Sequence, residues 1–131
     1  MGRSEIFKFS KVSRYISKED KPVRISTSAC DDWCSITFSK DSNIVSNLKF
    51  SHNGCILSRA SINVLMEEIE NKTVEEANAI LKGFKNMILG KQIPKVLSEK
   101  LLEFKKFSKY SSRHACLLLG CDLMLKILNE S

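Results

Sequence analysis

The sequence predicts an α+β fold: a three-stranded antiparallel sheet with helices packed on one face. Three observations carry that prediction. Over residues 34–39, apolar Cys34, Ile36 and Phe38 alternate with Ser35, Thr37 and Ser39, the period of a half-buried strand. From residue 56 onward the period becomes helical, with Ile62, Leu65, Met66 and Ile69 at i, i+3, i+4 and i+7. The last segment, from about His114 to Leu128, is apolar almost all round and is expected to be central. Strands first and helices after is the order of segregated layers, not of alternating βαβ units.

The elements follow in order. Residues 4–17 read as a short amphipathic helix through Ile6, Phe7, Val12 and Ile16, stopped by Pro22. Val23, Ile25 and Thr27 alternate as a first strand, and residues 34–39 form the second. Asp41-Ser42-Asn43 is a turn signal, after which Ile44, Val45, Leu48 and Phe50 form the third strand. Thr73 with Glu76 is a capping box that opens a second long helix, whose inner face is Ala77, Ile80, Leu81 and Phe84. Gly90 and Pro94 mark a break, and a further helix carries Leu97, Leu101 and Phe104.

Composition narrows the function classes. At 131 residues the chain is read as a single domain, 1–131, with residues 1–22 its N-terminal helix. With 43% hydrophobic and 27% charged residues, 5 Gly and 2 Pro, it is neither disordered nor fibrous. The longest apolar run, Ala115–Leu119, falls far short of a membrane span, so no membrane is expected. The start lacks an apolar secretion segment, and Ile6 stands where a myristoylation pattern needs Ser or Thr. Glu5 and the scarcity of Arg argue against an organelle signal. With 5 cysteines and no export signal, a reducing, cytoplasmic location is expected, and the odd count argues against a closed disulfide framework.

The net charge of +6 is unevenly spread. Residues 1–25 and residues 95–113 are each +4, and the remainder is −2. Such segments serve as solvated faces, as docking surfaces for an acidic protein, or as contacts to nucleic acid. Aromatics interleave with the base at Phe7, Tyr15, Phe104, Phe107 and Tyr110. A basic nucleic-acid-binding module with a structural metal is therefore the competing reading. It is the weaker one, because Phe104 and Phe107 fit a helix core face and Gly-poor loops offer no stacking platform.

The cysteines sort by position. Cys34 shares a strand face with Ile36 and Phe38, and Cys121 shares a helix face with Leu117, Leu118, Met124, Leu125 and Leu128. Both read as core fillers. Cys30 lies between two predicted strands, Cys55 follows Asn53-Gly54 before the first long helix, and Cys116 lies in the first turns of the last helix. Helix N-termini and a nearby Arg favour thiolates, which act as nucleophiles or as metal ligands. In an extended link, Cys30 and Asp32 point the same way. Cys30, Asp32, Cys55 and Cys116 thus form a candidate set of three thiolates and one carboxylate for zinc or iron. Trp33 reads as a wall of this site or as sheet surface, His52 as a polar loop residue, His114 as a spare ligand and Arg59 as exposed.

These contexts resemble a known family. Ala29-Cys30-Asp31-Asp32, then Gly54-Cys55-Ile56-Leu57-Ser58-Arg59-Ala60-Ser61, then Arg113-His114-Ala115-Cys116-Leu117-Leu118-Leu119 are similar, in order, to the iron–sulfur cluster assembly scaffolds of the IscU/SufU/NifU type. Asn71-Lys72-Thr73-Val74-Glu75-Glu76-Ala77 resembles that family's helix start. The spacer over residues 91–110 and Arg113 ahead of Cys116 look most like SufU. The resemblance implies a zinc held by Cys30, Asp32, Cys55 and Cys116, or iron or a transient [2Fe–2S] cluster on Cys30, Cys55 and Cys116. It implies Cys116 as acceptor of persulfide sulfur from a cysteine desulfurase of the SufS/NifS/IscS type, and Arg113 as the cation that stabilises its thiolate. Recipients would be iron–sulfur apoproteins. Asp31 stands where the family has Gly, and the family's motifs before the first cysteine are missing, so residues 1–22 are a divergent front. A degenerate relative that binds the desulfurase but builds nothing fits those losses too.

Overall fold

Two full strands, β2 (Trp33–Ser39) and β3 (Ser46–Asn53), form the body of the sheet. They run antiparallel with Cys34 opposite His52 and Ile36 opposite Phe50. The link between them is a tight turn at Asp41–Asn43, in which Ser42 and Asn43 take positive φ of 55° and 64°. A third segment, β1 (Arg24–Ser26), pairs antiparallel with β2 over its 3 described residues, Ile25 opposite Cys34. Among the described residues the sheet has the order β1-β2-β3. These positions come from a computed structural model that describes residues 2–12, 14–16, 24–26, 33–92 and 95–130.

Ile44 and Val45, expected to open the third strand, instead pair with the link between two helices. Ile44 bridges Thr73, the Val45 N–H donates to the Lys72 carbonyl at 2.8 Å, and the Asn71 N–H donates to the Val45 carbonyl at 2.8 Å. A buried connection needs partners for its backbone groups, and this stretch supplies them.

The first helix, α1 (Gly2–Ser10), is shorter than the predicted 4–17. Its end is set by other parts of the chain. Asn63 Nδ2 donates to the carbonyls of Phe9 and Val12, both at 3.0 Å, and Arg59 Nε donates to the Ser10 carbonyl at 2.8 Å. These bonds satisfy carbonyls that a helix end leaves open. The chain then turns to β3, where the Phe50 N–H donates to the Tyr15 carbonyl at 2.7 Å. Arg59 is thus a helix clamp, not the exposed residue expected.

Three long helices hold the core: α2 (Ile56–Ile69), α3 (Val74–Ile88) and α5 (Ser111–Asn129). Residues 60–66 of α2 are buried without interruption. The helices α2 and α5 cross in contact at one point: a Cβ on Gly120 would lie 2.3 Å from Ile62 Cγ1. The capping box of α3 forms as expected, with the Glu76 N–H donating to Thr73 Oγ1 at 3.1 Å and the Thr73 N–H donating to Glu76 Oε1 at 3.0 Å. The helix expected around Leu97 to Phe104 is reduced to one turn, α4 (Glu99–Leu102), and a 3-10 turn at Glu103–Phe107. So short a segment gains little from helix propagation, and its aromatic packing fixes it: Phe104 stacks on Phe9 at 6.2 Å and meets Phe84 edge-on at 5.7 Å. Among the described residues no helix is long and apolar enough to cross a membrane.

Candidate metal centre

The strand β3 ends at Asn53, Gly54 bends the chain, and Cys55 becomes the residue that opens α2, with extended φ/ψ of −81° and 167°. Its side chain does not cap the helix, which leaves the sulfur for other partners. Cys55 is half-buried, and Ser58, one turn on, is fully buried. Cys55 Sγ lies 3.8 Å from Ser58 Oγ, Ser58 Oγ donates to the Cys55 carbonyl at 3.0 Å, and His52 Nε2 lies 2.6 Å from Ser58 Oγ. His52 is a strand residue opposite Cys34, not part of a polar loop. Its ring meets Phe50 edge-on at 6.4 Å.

Cys116 lies in the second turn of α5 and has no exposed surface. Gly120, one turn further on, is the point where α5 meets Ile62, and Ile62 is two turns along α2 from Cys55. Both cysteines therefore stand within two turns of one crossing, each on the N-terminal side of its helix. Cys55, which opens α2, stands where a helix presents its unpaired backbone N–H groups. Arg113 is exposed in the first turn of α5. His114 Nε2 donates to the Ser108 carbonyl at 2.7 Å, which ties the ring back to the preceding turn. Trp33 opens β2, opposite Asn53 and Ser26, as a partly exposed sheet residue.

Cys30 and Asp32 lie outside the described residues. Among the described residues no three His, Cys, Asp or Glu side chains gather as a metal-holding group. The core assignments match what the structure shows. Cys34 is fully buried, and burial pushes its thiol up to about 12. Cys121 is fully buried too, donates to the Leu81 carbonyl at 3.2 Å, and is also pushed up by burial, with the Asp122 carboxylate adding to the shift.

Ser58 and His52 were not singled out by the sequence as parts of this site. The signal for Ser58 was its spacing of one helical turn from Cys55. His52 carried no periodic signal, since it lies six residues before Ser58 across the bend between β3 and α2.

Comparison with known proteins adds to the geometry. The family model of the NifU-like N-terminal domain matches residues 7–116, a span that includes Cys30, Asp32, Cys55 and Cys116. The iron-sulfur cluster assembly scaffold protein IscU of Streptococcus pyogenes serotype M1 is 28% identical over 111 residues, covering 83% of this chain and 69% of its own. The zinc-dependent sulfurtransferase SufU of Bacillus subtilis (strain 168) is 30% identical over 105 residues, covering 79% and 71%. The chain is also similar in structure to a putative iron-sulfur cluster assembly scaffold protein for the SUF system from Fervidobacterium islandicum AW-1. The TM-score is 0.82 at 29% identity, with 94% of this chain and 92% of that one covered.

Proposed function

The chain belongs to the NifU-like N-terminal domain family of iron–sulfur cluster assembly scaffolds, and on that premise we propose that it receives sulfur as a persulfide from a cysteine desulfurase and passes it, with iron, to recipient apoproteins. The observation that carries this reading is the pair Cys55 and Cys116, each on the N-terminal side of one of two helices that cross at Gly120. Thiol sulfurs are the donors that zinc and iron sites use, so the residues present fit a thiolate-bound metal. Cys30, Asp32, Cys55 and Cys116 would hold it, in one domain spanning 1–131. Zinc, when bound, would keep these sulfurs deprotonated. A [2Fe–2S] cluster would be cargo in this reading, held by Cys30, Cys55 and Cys116 and then surrendered; its sulfide would come from persulfide sulfur reduced by two electrons per sulfur from an external thiol or other electron donor.

Transfer itself is thiol–disulfide chemistry. The Cys116 thiolate attacks the outer sulfur of the donor persulfide. A new S–S bond forms on Cys116, the donor's own S–S bond breaks, and its thiolate leaves. Arg113 offsets the negative charge at the start of α5. Because Cys116 has no exposed surface, the donor must first uncover it, so docking and transfer are coupled. The test is to incubate the protein with a desulfurase and cysteine and to map added sulfur by mass spectrometry. One added sulfur on Cys116 is expected. Sulfur on Cys55 alone would move the acceptor role there, and no gain on any cysteine rejects sulfur acceptance. Metal analysis of the wild type and of Cys30→Ala, Cys55→Ala and Cys116→Ala tests the ligand set, with loss of bound zinc expected in each variant.

A further inference from the structure

Ser58 has a single hydroxyl proton, and among its neighbours in the described residues are two atoms of Cys55 and one of His52. Its Oγ lies 3.0 Å from the Cys55 carbonyl oxygen, 3.8 Å from Cys55 Sγ and 2.6 Å from His52 Nε2. The bond to the carbonyl is the usual local back-bond of a helical serine, and it uses the proton. Oγ can then accept from the Cys55 S–H and from His52. A sulfur that binds metal has released its proton to solvent and becomes an acceptor. Ser58 can serve it only by turning its own proton from the carbonyl to the sulfur. That turn is open only if His52 donates to Ser58. Were Nε2 an acceptor, it would hold the Ser58 proton itself.

We propose that His52 and Ser58 are positioning residues for Cys55 as a metal ligand. His52, held as the Nε2–H tautomer, donates to Ser58 Oγ, and Ser58 moves its proton from the Cys55 carbonyl to the Cys55 sulfur when that sulfur binds a metal. The device rests on the reading of Cys55 as a ligand. Its anchor is the sheet, because His52 sits in β3 opposite Cys34 with its ring against Phe50. The strand register thus sets where the imidazole stands, the imidazole sets Ser58, and Ser58 orients the sulfur. Hydrogen bonds to a charged acceptor are stronger than neutral ones, and groups that orient ligands from outside change metal affinity by about 10–100-fold when removed.

Two measurements on the full chain decide the matter. In the metal-free wild type at about pH 8, above the usual imidazole range, ¹⁵N spectra of the His52 ring should show the Nε2–H tautomer. The Nδ1–H tautomer overturns the proposal, and this reading needs no variant to fold. In the second, Ser58→Ala and His52→Leu should weaken zinc binding about 10-fold and shift the sulfur-to-metal absorption of the cobalt-substituted protein. Ser58→Thr and His52→Gln, which keep a hydroxyl and an N–H donor, should restore both. Equal affinity and spectra across these variants overturn the proposal while Cys55 stands as a ligand. If Cys55→Ala itself changes neither affinity nor spectrum, the ligand reading fails, and the positioning role falls with it.

Discussion

Cys34 and Cys121 occupy one region of the molecule, and Cys55 and Cys116 another. The first pair lies inside the packed layers. Cys34 is beneath the sheet, and Cys121 is in the seam between α3 and α5 with its S–H on the Leu81 carbonyl. The second pair lies on the N-terminal side of the α2/α5 crossing. Exposure alone does not separate them, since Cys116 is as fully buried as Cys34. Position along the element does. Cys34 lies within β2 and Cys121 mid-helix in α5, whereas Cys55 opens α2 and Cys116 lies in the second turn of α5.

The largest effect expected to break this contrast comes from the crossing itself. Gly120→Val forces atoms onto Ile62 and pushes α5 off α2, at a cost of about 2–3 kcal/mol. Urea unfolding should show the lower midpoint, and zinc affinity should fall with it because Cys116 is one turn away. Unchanged stability would mean that the two helices do not meet there.

Alkaline pH probes the core pair. An unfolded thiol loses its proton near its ordinary value of 9.0, while folded Cys34 keeps its proton up to about 12. In that window the unfolded chain binds fewer protons than the folded one, so stability falls as pH rises. The slope is about 1.4 kcal/mol per pH unit for each such thiol. Cys121, shifted the same way, adds to it. Urea unfolding from about pH 9 to 11 should show the slope in the wild type and a flatter line in the Cys34→Ala/Cys121→Ala double variant. Equal slopes would place these thiols in water.

Thr73→Ala sharpens the contrast from outside both regions. It removes the capping box of α3 and should cost about 1 kcal/mol, read as a lower melting temperature with zinc affinity unchanged. A parallel loss of zinc would tie the site to overall stability. The smallest perturbation is brief alkylation of the native, metal-free protein. Half-exposed Cys55 should be modified, and Cys34, Cys121 and Cys116 spared. Cys116 should become reactive when the desulfurase is added. Early modification of Cys34 or Cys121 would erase the distinction.

What the amino-acid order determined by itself was whatever has a local period or a local partner. The alternation over 34–39 marked β2, the helical spacing marked α2, α3 and α5, and Thr73 with Glu76 marked the start of α3. The apolar faces assigned Cys34 and Cys121 to the core. Short-range context also picked out Cys55 and Cys116 as different from those two. The tertiary structure decided the rest. The periodicity of residues 4–17 suited a longer helix, yet α1 ends at Ser10 where Arg59 and Asn63 of α2 take its carbonyls. Ile44 and Val45 had strand chemistry but pair with the helix link. His52 reached Ser58, six residues on, because the chain bends at Gly54 between β3 and α2. Groups many residues apart meet only after packing has fixed the distances between elements, and neighbours in the chain carry no record of that.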